Sequence, residues 1–339
     1  MIKKILKFIL WTLGIILGLA IILLIYFNIP VAKENADAKL GVTFSSRYAG
    51  DIMLNWKEAY IAMLDDLGVK KVRIPIYWDL VEKQEGQYDF SDIAWQLDEA
   101  KKRNADVILV VGQKVPRWPE CAIPEWAKND DQKRKGSLLK FIDKAIDNLK
   151  SYSNIEAWQV ENEPFLSFGI CPALDTNLLD SEIALVKAKD PSRPVIVTDS
   201  GELSLWIQAA KRADIFGTTM YRTIYKKGLG YFDYPIGPRF FWFKHWLIKT
   251  FANQDRAIVI ELQAEPWISG YTTECPLDEQ FKSMNKEKLV DNVSFARRVG
   301  FPEMYLWGVE WWYWLKVEKD HPELWNSARE LFNGKSVVK

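Results

Sequence analysis

Glu163 and Glu261 each close an apolar run, IEAWQVENEP over 155–164 and AIVIE over 257–261, and Glu265 follows in the same stretch as AEPW. A carboxyl group at the end of a buried strand costs desolvation free energy unless it is paired, hydrogen-bonded or protonated. Two such groups facing each other across a cleft push their pKa values apart, so that one keeps a proton and the other a charge. That division supplies a general acid and a nucleophile from one pair. The rest of the sequence offers little else. His245 and His321 are the only histidines, there are 3 cysteines without a CxxC pair, and so histidine triads and metal sites are poorly supplied. No metal or other cofactor is expected.

Side chains that meet over a cleft need elements to carry them there. Short apolar runs alternate with longer amphipathic segments, the pattern of βα units around a parallel sheet. Strands are expected at 40–44, 71–77, 106–112, 155–161, 194–198, 215–220, 257–261 and 304–308. Several, such as VILVVG and PVIVT, lack polar alternation, which suits strands covered on both faces. Helices are expected over 92–103 behind Ser91, over 138–151 behind Ser137, and after Asp320 and Pro322 up to Gly334. Gly68 and Gly300 also sit just past helical runs. Eight strand and helix pairs fit a (β/α)8 barrel of about 250 residues plus insertions. A doubly wound sheet is the competitor, but no GxGxxG follows the first strand. The active site of such a barrel lies at the C-terminal strand ends, where both glutamates stand. Across 339 residues, 45 basic and 45 acidic side chains cancel and 48% of residues are hydrophobic, a globular composition without the basic stripe that nucleic acid requires.

NEP closing the fourth strand and a glutamate closing the seventh resemble the clan A glycoside hydrolases, retaining (β/α)8 enzymes, over roughly residues 40–314. The resemblance implies Glu163 as general acid/base and Glu261 as nucleophile, with carboxyl groups about 5 to 5.5 Å apart. It also implies that Arg73 (KVRIP) and Tyr221 (TTMYR) donate to Glu261, that Asn162 binds the sugar 2-hydroxyl, and that Trp307 (YLWG) floors the sugar site. The segment 77–90, YWDLVEKQEGQYDF, resembles the passage after strand two in several clan A families. One departure is that neither histidine falls at a strand end. Glu265 is a lesser rival for the nucleophile. Glu161 shares strand parity with Glu163, and is either the inward carboxylate or an interior partner of Arg73. The implied function is hydrolysis of β-linked oligo- or polysaccharides by double displacement; the alternatives are a transglycosidase and a catalytically idle glycan-binding barrel.

Three further segments bear on the site. GQKVPRWPECAIPEW, after strand three, carries Pro116, Pro119 and Pro124 and reads as an ordered loop on the catalytic face, so Gln113, Arg117, Trp118 and Glu120 are cleft candidates, Gln113 and Trp118 as substrate-binding residues. Cys121 and Cys171 follow neighbouring strands and form the most reasonable bridge, against three free thiols. YFDYPIGPRFFWFKHW, 231–246, is an insertion that walls the cleft or lies on a membrane, or a helix buried against the barrel, which is the favoured reading.

The N-terminal run 8–27 is uncharged and apolar, preceded by Lys3, Lys4 and Lys7, and long enough to span about 30 Å of hydrocarbon. Its lysines favour a cytoplasmic N-terminus and an extracytoplasmic remainder. A cleaved signal is the alternative, though the nearest Ala-x-Ala, 36–38, lies well beyond the run. The expected organisation is therefore an α/β chain: a single N-terminal transmembrane anchor (1–30), a linker (31–39) and a monomeric catalytic (β/α)8 TIM barrel (40–339), whose partners are a glycan and the membrane.

Overall fold

The computed structural model describes residues 2–334. Eight parallel strands close into a barrel: β1 (Lys39–Thr43), β2 (Lys71–Pro75), β3 (Asp106–Val111), β4 (Ile155–Val160), β5 (Val195–Asp199), β6 (Ile215–Met220), β9 (Ala257–Gln263) and β10 (Glu303–Trp307). Around the barrel the order is β1-β10-β9-β6-β5-β4-β3-β2. Two short strands, β7 (Thr223–Lys226) and β8 (Gly230–Asp233), form an antiparallel hairpin between β6 and β9. The strand bounds lie within a few residues of those expected, because unbroken runs of Val, Ile and Leu have one stable use in a barrel covered by helices.

Ile108, Ala157, Ile196, Ile258, Ile260 and Tyr305 fill the barrel interior, while Val107, Leu109, Val259 and Leu262 belong to the larger core beneath the helices. At the floor, Lys71 pairs with Glu156 and Glu303, and Tyr305 donates to Glu156 at 2.9 Å. The mouth is polar.

The outer helices differ from expectation where capping chemistry overrides the nearest serine. The helix expected over 138–151 runs over Asp131–Leu149, because the Asp130 carboxylate caps the Lys133 N–H at 3.0 Å, and Ser137 falls mid-helix. Ser91 lies inside Ser91–Lys102 rather than before it, and the last helix is Glu323–Phe332 behind Pro322. Gly300, at φ 87°, ends Lys286–Val299 in the left-handed conformation that glycine tolerates.

The segment 231–246 is neither wholly a buried helix nor wholly a loop. It contains β8 and the start of helix Pro238–Ala252, whose Phe241, Lys244 and Ile248 are buried while Trp242 and Trp246 are exposed. Ile2–Asn28 is a single helix, and its Lys3–Asn28 stretch is long and apolar enough to cross a membrane. Cys121 and Cys171 are bridged, joining the loops after β3 and β4, and Cys275 is a free thiol.

Candidate active site

Simple alternation along β9 would send Glu261 to the side of Val259, beneath the helices. It does not, because β9 carries an extra residue. Thr218 and Thr219 of β6 pair with Val259 and Glu261, and Met304 and Leu306 of β10 pair with Val259 and Leu262. A bulge at Ile260–Glu261 re-aims the chain, so Ile260 lines the interior and Glu261 still points into the mouth.

Once there, Glu261 is held from two sides. Arg73, fully buried on β2, donates from Nη1 to Glu261 Oε1 at 2.7 Å, from Nη2 to Asn162 Oδ1 at 2.7 Å and from Nε to Gln159 Oε1 at 2.8 Å. The hydroxyl of Tyr221 donates to Glu261 Oε2 at 3.0 Å. Burial and then the charge of Glu261 push the Tyr221 phenol well above its ordinary range, which keeps it a donor.

Glu163 reaches the same mouth from β4. Thr219, the register partner of Glu261, donates to Glu163 Oε1 at 3.1 Å, and the Glu163 N–H donates to Thr198 Oγ1 at 2.8 Å. Burial, then the carboxylate of Glu261, then Glu120 raise the Glu163 pKa well above that of a free glutamate. This carboxyl group therefore holds its proton to a higher pH than a free glutamate does.

Glu161 is not the inward group, nor does it pair with Arg73. Glu161 and Glu163 have φ of 57° and 44°, left-handed values that break strand alternation and turn the two side chains apart. Glu161 accepts the N–H groups of Gln113 at 2.8 Å and Lys114 at 2.7 Å, and burial raises its pKa as it does that of Glu182, where the neighbouring Glu161 carboxylate adds to the rise. Gly112, at φ 134°, is required beside it: a Cβ there would lie 2.5 Å from Glu161 Oε1.

The loop after β3 crosses the mouth. Glu120 is buried and accepts from Asn162 Nδ2 at 3.4 Å, and burial together with the Glu261 charge pushes its pKa up to about 7. Arg117 lies between the rings of Tyr48, at 3.8 Å, and Trp307, at 4.1 Å, and pairs with Glu265 and with Glu310 at 2.9 Å. Trp307 donates to Glu265 Oε1 at 2.7 Å. Glu265 is thereby committed to a structural clamp.

The structure thus gathers Arg73, Asn162, Glu163, Tyr221 and Glu261 around one point. Trp307 is near, with one ring face covered by Arg117. Gln113 is turned away, its amide oxygen accepting from Arg134 on the outer helix. Trp118 is 58% exposed on the rim, against Phe168, with ring centroids 6.3 Å apart. Phe168 in turn meets Trp267 at 6.3 Å, and Trp267 meets Tyr221 at 5.1 Å, an aromatic row spanning the mouth that the sequence reading missed. Thr219 and Gln159 were missed as well, although their positions near the C-terminal ends of β6 and β4 were a usable signal.

Comparison with solved structures places this geometry. A GH5_18 protein from Bifidobacterium longum subsp. longum superposes with a TM-score of 0.57 at 13% identity, over 80% of this chain and 68% of that one. The fold is that of the clan A (β/α)8 glycosidases. An exo-β-1,4-mannosidase from an Opitutaceae bacterium (TM-score 0.53, 13% identity, 80% of this chain) and a β-galactosidase from Halorubrum lacusprofundi (0.51, 14%, 79%) share it. The present chain spans about half the length of these two, 51% and 52%. At such identities the likeness concerns the fold alone. No family model and no curated protein matches the sequence.

Proposed function

We propose that the chain is a membrane-anchored, extracytoplasmic retaining glycoside hydrolase acting on β-linked glycans. The observation that carries this is the shared guanidinium of Arg73, which joins Glu261 to Asn162 beside a Glu163 whose pKa burial raises. One carboxyl group is held still by two donors, and the other keeps its proton more tightly than a free glutamate: the division of labour that double displacement requires.

In the first step the Glu261 carboxylate attacks the anomeric carbon while the Glu163 carboxyl group gives its proton to the departing glycosidic oxygen. The C–O bond to the leaving group breaks and an ester to Glu261 forms. In the second step Glu163, now ionised, takes a proton from water as the water oxygen attacks the same carbon and releases Glu261. Arg73 and Tyr221 orient the nucleophile and withdraw as donors to it when its charge is consumed. A sugar 2-hydroxyl would meet Asn162 Nδ2, where Glu120 now sits, and Glu120, with a pKa of about 7, can donate to that hydroxyl in its acid form and accept from it in either form.

The structurally similar exo-β-1,4-mannosidase and β-galactosidase set the first substrates to try. The full chain in detergent, offered fluorogenic β-mannoside, β-galactoside, β-glucoside and β-N-acetylglucosaminide, should turn over at least one, and Glu261→Ala should turn over none. Equal activity in that variant refutes the assignment.

A further inference from the structure

Helix Pro238–Ala252 buries a lysine among its core residues and exposes tryptophans, which is unusual for a helix facing water. Its barrel side carries Phe241, Lys244 and Ile248, all buried, with the Lys244 ammonium 4.1 Å from the Trp206 ring centroid and donating to the Gly201 carbonyl. The opposite side carries Arg239, Phe243, Trp246 and Thr250, spaced as one helical stripe, flanked by Trp242. Trp242 and Trp246 are 38% and 54% exposed. Large aromatic side chains on an outward stripe mark a contact surface rather than a solvated face.

What covers that stripe is indicated by the N-terminal helix, which ends on it. Phe27 packs edge-on against Phe240, with ring centroids 5.2 Å apart, and lies 5.8 Å from Phe243, which itself stacks on Trp246 at 5.7 Å. Asn28 Nδ2 donates to the Pro235 carbonyl at 2.9 Å, and Gly237 has no side chain where the Phe27 carbonyl packs, a Cβ there lying 2.4 Å from it. The Arg239 guanidinium sits 5.7 Å from both the Tyr26 and the Trp242 rings. An unbroken aromatic row therefore leads from the last turn of the apolar helix Ile2–Asn28 along the outside of Pro238–Ala252.

We infer that the outward face of Pro238–Ala252 lies in the interfacial region of the bilayer that Ile2–Asn28 enters, with Trp242 and Trp246 at headgroup depth and Arg239 toward lipid phosphates. This rests on the anchor reading of the proposed function and adds an orientation to it. Pro238 begins the helix on the catalytic side, since the helix runs back from the β7–β8 hairpin to the start of β9. The anchor thus meets the barrel at its catalytic rim, and the cleft opens beside the membrane rather than away from it.

The test uses the full chain reconstituted in vesicles of phosphatidylcholine and phosphatidylglycerol, with and without phosphatidylcholine brominated near the headgroup, reading tryptophan quenching. Trp11 on the apolar helix reports insertion, and Trp11→Phe removes that signal. The Trp11→Phe protein should still be quenched, and Trp11→Phe/Trp242→Phe/Trp246→Phe should lose most of that quenching. If wild type is quenched but Trp11→Phe is not, or if the triple variant is quenched as strongly as Trp11→Phe, the surface contact is wrong and the anchor stands. If wild type itself is unquenched, the anchor reading falls and takes the inference with it.

Discussion

Arg73 Nη1 lies 2.7 Å from Glu261 Oε1, and the two side chains are 0% and 3% exposed. A buried pair of this kind is not simply additive to stability; its value lies in geometry, and its members cannot be removed singly without stranding a charge. Arg73→Met should therefore destabilise the barrel by about 3–5 kcal/mol, measured by denaturant unfolding. The double variant Arg73→Met/Glu261→Leu should recover much of that loss while remaining inactive. If the double variant were no more stable than Arg73→Met, Arg73 would not be compensating the Glu261 charge.

Tyr221→Phe isolates the second support of Glu261. Loss of one hydrogen bond to a charged group costs about 1.5–3 kcal/mol where it is formed. If that loss falls on the nucleophile's placement, kcat should drop roughly 10- to 100-fold, by the usual conversion of free energy to rate, with little change in KM. An unchanged kcat would make Tyr221 a wall of the aromatic row and nothing more.

Glu163 sets the alkaline side of the pH profile. Its pKa is raised by burial and by Glu261, so the acid form needed for leaving-group protonation persists above the range in which a free glutamate ionises, and kcat/KM should fall as pH rises through the elevated value. Glu163→Ala should lose this limb, and should retain far more activity on a dinitrophenyl glycoside, whose leaving group needs no proton, than on a methylumbelliferyl one. Equal losses on both substrates would remove Glu163 from the acid role.

Glu120 makes the corresponding stability prediction. Its folded pKa, about 7, lies above the ordinary glutamate value, so the folded state holds a proton that the unfolded chain has released. Folded stability from this group is intact below the ordinary value and is lost as pH rises to about 7. The loss is on the order of 3 kcal/mol, from the difference between the two pKa values. Wild type should accordingly weaken relative to Glu120→Gln between pH 4 and 8 in thermal unfolding, and a constant difference across that range would show that Glu120 is already ionised.

The barrel was legible because short, mostly apolar runs, several of them unbroken, alternate with amphipathic segments, and the glutamates because each ends such a run. What hid the rest was local backbone geometry. Parity along 155–163 groups Glu161 with Glu163, yet the left-handed residues at the end of β4 separate them. Parity along 257–261 groups Glu261 with Val259, yet the bulge in β9 brings it inward. The β9 bulge has no glycine or proline to announce it, and Pro164 marks where β4 ends without showing that Glu161 and Glu163 turn apart. Gln113 was placed in the cleft by its loop, but a buried Arg134 on the adjoining helix claims its amide. The aromatic segment 231–246 resisted a single reading because its helix buries a lysine and exposes tryptophans, the reverse of what burial rules favour for a helix packed in water.

The central claim is that Glu261 attacks the sugar. A 2-deoxy-2-fluoro β-glycoside with a dinitrophenyl leaving group, chosen from the sugar that turns over, slows the second step and lets the glycosyl ester accumulate for mass spectrometry of the proteolysed chain. The account predicts one added glycosyl group, carried on Glu261 of the peptide containing IELQAEPW. An adduct on Glu265, or full turnover with no adduct and with Glu261→Gln still active, would contradict it.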